Sequence, residues 1–463
     1  MSGQPLSVDS SGHYLLDHTG TPFFWMGDTA WELLHRLDRD EMQHYLDARH
    51  QQGFNVVQTV ALYEVQREAP NAYGDFPMED LYGSTPDLSF GDSPSDELAY
   101  DYWDHVEYFI EAAREKGLLV ALLPCWGEYV SPRKRPRANF ASPQDGYYFG
   151  WFIGDRFKEY NDNLIWMLGG DRLPDEARQS LEIWRAMAEG ITDGVNGLPT
   201  LFDGQADYTS TFMTYHCYQS SSRWFHQDDW IDFHSWGSYH GQKNFERAYR
   251  AALYDWRLPN PKPTLNSEPA YELFPVNYEH VTVSQGYFDD YDMRQIAYWS
   301  VFSGSCGHTY GGNGVWQMYA ADQDLPAPNA DYQYLMEWKD GLNLSGASQM
   351  RHLRRLVETF PFTQFRPNEP FVAAHPFRPE NGSYTVALTS PDAALIYSSH
   401  SETITLDWRQ LDYQRVYVRW YDPRTGLYSD PAQWDITEDF QQIDPPGDIM
   451  RGNDWVLVIE KMR

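Results

Sequence analysis

The sequence predicts a (β/α)8 TIM barrel followed by a small antiparallel β-sandwich. Three observations lead there. Apolar strand-like runs alternate with amphipathic helical stretches through eight cycles up to about residue 362. Those runs are continuously apolar, as parallel strands covered on both faces are. Beyond Phe362 the pattern changes to short alternating runs separated by turns. Each helix supplies the crossover that two parallel strands need. A chain of 463 residues also suits one barrel enlarged by insertions plus a second unit. The expected division is 1–362 for the barrel and 363–463 for the sandwich.

The first run is "FFWMGDTAW" (23–31), followed by a helix at about 38–52. Asp38 and Glu41 form a capping-box pattern at its start. Met42, Tyr45, Leu46 and Arg49 then recur at helical spacing. The second run is "FNVVQTVALY" (54–63). A polar, Pro/Gly-rich loop covers about 64–95, and a helix is expected from Ser95 to Lys116. The third run is "LLVALLPCW" (118–126), followed by a helix around 148–160. The fourth is "LIWML" (164–168), with a helix at 176–193. For the fifth, "FMTYHCY" (212–218) is preferred over "LPTLFD" (198–203). The sixth is "WIDFHSW" (230–236), with a helix at 243–256. The seventh is "PTLNSEP" (263–269), with a helix at 289–303. The eighth is "GSCGHTYG" (304–311), with a helix at 347–359. In the sandwich the runs are "FVAAHPF", "SYTVALTS", "AALIYSSH", "ETITLDW", "RVYVRWYDPRTG" and "DWVLVIEK". Asp422-Pro423-Arg424-Thr425-Gly426 is a turn signal.

Bulk properties narrow the function. The net charge of −32 repels phosphate backbones and anionic lipids, so neither nucleic acid nor a membrane surface is an expected partner. No apolar run approaches the ~20 residues of a spanning helix. The N-terminal "MSGQPLSVDSSGHY" lacks the basic and apolar parts of a secretory signal, which points to a cytoplasmic protein, although a trimmed signal would leave the same sequence. The three cysteines, Cys125, Cys217 and Cys306, are far apart and odd in number, which argues against a disulfide framework or a cysteine metal site. Aromatic residues reach 16%, with 18 Trp and 33 Tyr. Aromatic faces beside carboxylates suit sugars, which have apolar C–H faces and polar edges, so a carbohydrate is the expected partner. The oligomeric state is not readable.

Barrel enzymes carry their chemistry at the C-terminal ends of the strands. Here those ends hold Asp28 and Trp31, Trp126 and Glu128, Asp171 and Arg172, His216, then His234, Trp236 and His240, then Glu268, and finally His308. In "LIWMLGGDR" two glycines let the backbone leave the strand in unusual dihedrals and expose Asp171 at the mouth. Arg172 either pairs with a nearby acid or holds substrate. Glu268 precedes Pro269, which cannot extend a strand ladder. Strand seven can therefore present Glu268 across the mouth from Asp171, with Glu272 as a substitute. Two carboxylates flanking a sugar are what glycoside cleavage requires: one protonates the leaving oxygen, the other attacks the anomeric carbon or activates water. Trp31, Trp126, Trp236, Tyr271 and Trp316 are candidate sugar platforms. Asp28, Arg172, His216, His234 and His240 are candidate hydrogen-bonding residues.

Metal hydrolysis is the rival chemistry, with His216, His234, His240, His308 and Asp28 as conceivable ligands. No HxH or HExxH pair stands at the strand ends, there is no GxSxG elbow, and "YGGNG" (310–314) lacks the context of a phosphate loop. No metal or cofactor is expected. A non-catalytic carbohydrate-binding protein is the other alternative.

At "FFWMGDTAWELLHRL", "GFNVVQTVAL", "IWMLGGDR", "TYHCYQSSS", "SEPAYE" and "YGGNGVWQM" the chain resembles the apiosidase-like glycoside hydrolases. These join a TIM barrel to a C-terminal β-sandwich of a family named for collagen binding. The resemblance implies Asp171 as acid/base, Glu268 as nucleophile, and a terminal apiose as the sugar released; a related pentofuranose, or another sugar such as arabinofuranose, is the alternative. The implied course is retaining, with carboxyl groups about 5–5.5 Å apart. The chain departs from the family pattern at Trp236–His240, where a "QSGH"-like stretch is usual. It departs also at Cys217, which replaces a proline, and in an insertion at about 198–211.

Overall fold

The computed structural model describes residues 3–63, 69–89, 99–133, 137–241, 243, 245–278, 283–321, 336–374 and 383–462. A short antiparallel meander comes first: β1 (Leu6–Val8), β2 (Leu15–Asp17) and β3 (Pro22–Phe23). The sequence predicts no strand before residue 23. These pieces of two or three residues are too short to show periodicity.

Eight parallel strands follow: β4 (Trp25–Thr29), β5 (Val56–Val60), β6 (Leu119–Leu123), β7 (Leu164–Gly169), β8 (Met213–His216), β9 (His234–Gly237), β10 (Thr264–Glu268) and β11 (Gly307–Tyr310). Their order, β8-β7-β6-β5-β4-β11-β10-β9, is that of a barrel. The seam between β8 and β9 is joined largely by side chains. Thr214 Oγ1 donates to the Phe233 carbonyl at 2.7 Å, and Ser235 Oγ donates to the Tyr215 carbonyl at 2.8 Å. Asp232 pairs with Met213 through both its backbone N–H and its carboxylate. β9 begins at His234, where its ladder with β10 begins, and not at Trp230 as its composition suggests.

The helices are α1 (Leu33–Arg36), α2 (Arg39–Gln51), α3 (Tyr102–Glu115), α4 (Pro143–Arg156), α5 (Ser180–Val195), α6 (Ser222–Phe225), α7 (Glu246–Trp256), α8 (Asp290–Phe302), α9 (Trp338–Gly341) and α10 (Ser345–Glu358). The capping box at Asp38 and Glu41 forms as expected. The expected start of the helix after the second run, Ser95, lies outside the described residues; α3 begins after its cap, Asp101. No helix among the described residues is long and apolar enough to cross a membrane.

The remaining strands are antiparallel: β12 (Arg366–Pro367), β13 (Val372–Ala374), β14 (Thr385–Thr389), β15 (Ala393–Ser398), β16 (Ile404–Asp407), β17 (Arg415–Asp422), β18 (Leu427–Tyr428), β19 (Ala432–Asp435), β20 (Phe440–Ile443) and β21 (Trp455–Lys461). They form a seven-stranded and a three-stranded sheet. Part of the "FVAAHPF" run lies outside the described residues. Strand alternation sorts the side chains. Ala394, Ile396, Leu457 and Ile459 fill the core between the sheets, whereas Leu395, Tyr397, Val456 and Val458 join the core of the barrel side. The contact runs through α8. Tyr397 stacks on Tyr298, Trp299 Nε1 donates to the Tyr384 carbonyl at 2.9 Å, and Arg294 forms a two-pronged pair with Asp454 at 2.8–2.9 Å. Asp422–Gly426 makes the expected turn, closed by Gly426 N–H to the Asp422 carbonyl.

Candidate functional site

β7 ends in Gly169 and Gly170, with φ of 99° and 121°. A Cβ on Gly169 would meet the His216 carbonyl at 2.3 Å, and one on Gly170 would meet the Trp126 ring at 2.6 Å. Only glycine combines these dihedrals with that space. Asp171 follows with φ of 48°, half-buried at the barrel mouth. Arg172 turns to Glu128, beyond the end of β6, and forms a buried ion pair with it. Glu128 also accepts from Arg133 N–H at 3.0 Å. The charge beside Asp171 therefore has a carboxylate partner of its own.

β10 reaches the mouth through a register shift between Asn266 and Glu268. The bulge lets two successive side chains grip one imidazole. His216 Nδ1 lies 3.0 Å from Ser267 Oγ, and His216 Nε2 lies 3.0 Å from Glu268 Oε2. Tyr271 donates to Glu268 Oε1 at 2.5 Å and accepts from Trp31 Nε1 at 2.9 Å. Glu268 is 8% exposed. Burial pushes its carboxyl up, but the hydrogen bonds from His216 and Tyr271, with the nearby His216 and His240 rings, outweigh burial and hold it below its usual value.

One carboxylate oxygen of Asp171, one of Glu268 and one ring nitrogen of His216 all lie within 4.8 Å of one another. Aromatic rings wall this point. Trp31 and Trp126 meet at 5.4 Å between centroids, and each also meets His216. Tyr271 touches His240 at 4.3 Å and Trp316 at 6.0 Å. The structure thus brings together Asp171, Glu268, Arg172, His216, His240, Trp31, Trp126, Tyr271 and Trp316.

Three expected site residues lie elsewhere. Asp28 is fully buried behind β4 and bonds Arg49 Nε at 2.7 Å and Tyr45 OH at 2.5 Å, both on α2. Trp25 and Gly27 take the inner face of that strand, against Thr309, so Asp28 faces the helices. His234 points from β9 to Ser221 and to His226, whose Nδ1 lies 2.9 Å from its Nε2. Trp236 donates to Thr264 Oγ1, and Thr264 in turn donates to Asp255 of α7. His308 of β11 is buried, and burial lowers it to about 3. Glu272 is not at the mouth either: it accepts from Tyr310 OH and from the Gly346 N–H that opens α10. The rival metal set of His234, His308 and Asp28 is dispersed. Among the described residues the group able to offer metal-ligand atoms is Asp171, His216 and Glu268.

Sequence reasoning missed Ser267, Tyr239 and Tyr278. Tyr239 OH lies 3.5 Å from Asp171 Oδ1. Its signal was its position just beyond strand six.

The chain joins a parallel eight-stranded barrel to two acids that converge over an aromatic-lined mouth, and the comparisons make it a glycoside hydrolase. The chain belongs to the apiosidase-like family: residues 9–364 match its catalytic-domain model. Residues 367–460 match the family described as the collagen-binding domain of a collagenase. A solved glycoside hydrolase superposes with a TM-score of 0.83 at 27% identity, covering 100% of this chain and 99% of its own. A family 5 glycoside hydrolase from Bacteroides vulgatus superposes with a TM-score of 0.82 at 26% identity, covering 100% and 95%. None of the curated proteins matches the chain.

Proposed function

We propose that this glycoside hydrolase removes a terminal apiose, or a related pentofuranose, from plant-type glycans or glycosides with retention of configuration. Asp171 is the acid/base and Glu268 the nucleophile. Residues 1–362 form the catalytic unit, and 363–463 a sandwich that supports it.

The observation that carries this reading is the approach of the Asp171 and Glu268 carboxylates to within 4.8 Å. Retaining enzymes hold their carboxyl groups about 5–5.5 Å apart, whereas inverting enzymes leave room for a water between groups at least about 6.5 Å apart. The two surroundings also differ as the two roles require. Glu268 receives hydrogen bonds from Tyr271 and His216 that favour its anion, the form that attacks. The Arg172 cation next to Asp171 pairs with Glu128.

In the first step a Glu268 oxygen bonds the anomeric carbon as the C–O bond to the leaving group breaks. Asp171 gives its proton to the departing oxygen. In the second step Asp171 takes a proton from water, whose oxygen replaces Glu268 on the sugar. Trp31, Trp126, Tyr271 and Trp316 offer apolar faces to the ring, and His216 and His240 offer polar edges. The resemblance favours apiose; arabinofuranose is the nearest competitor.

The test is a screen of oligosaccharides ending in apiose, arabinofuranose and other pentoses, with proton NMR following the anomer first released. The proposal expects a terminal pentofuranose released with its configuration retained. Binding without release across the panel would instead mark a non-catalytic sugar-binding protein. The closeness of Asp171, His216 and Glu268 favours a second reading, a divalent-cation site. Activity that is lost on chelation and restored by one cation would select it.

A further inference from the structure

Aromatic rings continue outward from the two acids in an unbroken series. Tyr271, which donates to Glu268, meets His240 at 4.3 Å between centroids, and His240 stacks on Tyr278 at 5.5 Å and an interplanar angle of 15°. Tyr278 meets Tyr239 at 5.9 Å, and Tyr239 meets Tyr218 at 5.9 Å. The inner end is dry and the outer part is wet. Tyr271 is 2% exposed, whereas Tyr278 is 42% exposed and Tyr239 and Tyr218 are half-buried. Tyrosines half in water at a cavity mouth offer an apolar face to whatever lies just outside that cavity.

Tyr239 is held in place against its own backbone preference. Its φ is 73°, in the left-handed region that suits glycine and disfavours a bulky residue. Such a conformation persists only where the surroundings impose it, and it gathers at functional sites. Here β10 imposes it. Ser238 N–H and Tyr239 N–H both donate to the Glu268 carbonyl, at 3.0 and 3.5 Å, and Asn266 Nδ2 donates to Ser238 Oγ at 3.0 Å. Tyr278 is fixed from the other side, where Asn277 N–H donates to the His240 carbonyl at 2.8 Å.

The direction of the series assigns its use. An acid that protonates the departing oxygen stands on the leaving-group side of the broken bond. The Tyr239 hydroxyl lies 3.5 Å from Asp171 Oδ1, so Tyr239 stands on that side too. Tyr218, next outward, lines a groove of about 400 Å³ beside α7, with Gln219, Arg223, Arg247 and Tyr254 along its walls. A small alcohol or a single phenol would leave that room empty; a glycan would enter it. We propose that Tyr239, flanked by Tyr278 and Tyr218, is the specificity-determining platform for the leaving group. It takes the apolar C–H face of the sugar ring to which the released sugar is attached. The inference rests on the roles proposed for Asp171 and Glu268. The platform only binds; no bond is made or broken on it.

Two apiofuranosides separate the platform from the inner pocket: a disaccharide with apiofuranose on a hexopyranose, and the methyl glycoside, which has no second ring. Calorimetry measures the Kd of each on the full chain carrying Glu268→Gln, alone and combined with changes at Tyr239. The disaccharide is expected to bind more tightly than the methyl glycoside. Glycine adopts φ of 73° freely, so Tyr239→Gly is expected to fold. It should weaken the disaccharide about 10-fold, the upper scale of one aromatic stacking contact, and leave the methyl glycoside within about twofold. Tyr239→Phe keeps the ring and should keep the preference, which separates stacking from the hydroxyl's contact with Asp171. Equal losses for both glycosides in Tyr239→Gly, or no loss for either, overturn the platform. If that variant fails to fold, an unchanged preference in Tyr278→Gly does so. Full turnover by Glu268→Gln would instead remove the nucleophile assignment, and the platform is then read from the ratio of the two KM values. Binding of neither glycoside would strike the choice of sugar and the platform with it.

Discussion

His216 Nε2 lies 3.0 Å from Glu268 Oε2, while Tyr271 holds the other carboxylate oxygen at 2.5 Å. Both contacts favour the ionised form, and together they outweigh the burial of Glu268. A carboxyl whose folded value is depressed stays ionised above that value and becomes protonated only as the pH falls through it. The acidic limb of kcat/KM is therefore expected below the ordinary glutamate value of about 4.3. Tyr271→Phe removes one donor. The limb should move up by about one unit, and turnover should fall by about 10- to 100-fold, both read from a pH–rate profile of the variant.

The Gly169–Gly170 turn makes a stability prediction. Gly170→Ala would place a methyl group 2.6 Å from the Trp126 ring at φ of 121°. The strain alone costs about 1–3 kcal/mol, and Trp126 and Asp171 must shift to relieve the clash. Thermal unfolding should show a Tm lower by several degrees, together with loss of most activity. An unchanged Tm would mean that the turn is not tightly fixed.

Asp28 and Arg49 form a fully buried pair on the far side of β4 from the barrel interior. Asp28→Asn leaves the guanidinium without its charge partner, which costs about 3–5 kcal/mol. Because the pair faces α2 and not the sugar, KM for any substrate should remain within about twofold of wild type. Chemical denaturation and steady-state kinetics on the same preparation check both halves of this expectation.

Arg172→Met strands Glu128 in a nearly dry site and should destabilise by a similar amount. The double variant Arg172→Met/Glu128→Leu should recover much of that loss, since removing both charges is cheaper than removing one. Non-additive unfolding free energies in this double-mutant cycle are the expected readout.

Much of the barrel was legible because buried parallel strands must be continuously apolar, and "LIWML" and "LLVALLPCW" cannot be mistaken for surface. The two acids were legible because glycine and proline punctuate the strand ends that carry them. Which face a strand-end side chain occupies was not legible. Composition identifies a strand buried on both sides but gives no parity, so Asp28, His234 and Trp236 read as mouth residues although they face helices. Parity needs a partner strand: Trp25 against Thr309 fixes β4, and no local pattern announces that contact. The bulge at Ser267, which turns two neighbouring side chains onto His216, likewise exists only in the register with β9. In the sandwich, β18, β19 and β20 escaped notice because they are short and largely exposed.

The central claim is that Asp171 and Glu268 act on one sugar ring, with Glu268 forming the covalent bond. Mass spectrometry of the protein treated with an activated 2-fluoro glycoside of the sugar it releases tests this most directly. The account predicts a single added glycosyl group on the peptide containing Glu268, absent from Glu268→Gln. In Asp171→Asn the adduct should still form, since the activated leaving group needs no acid, and should turn over more slowly. An adduct on another residue, or release of inverted sugar with no adduct, would contradict it.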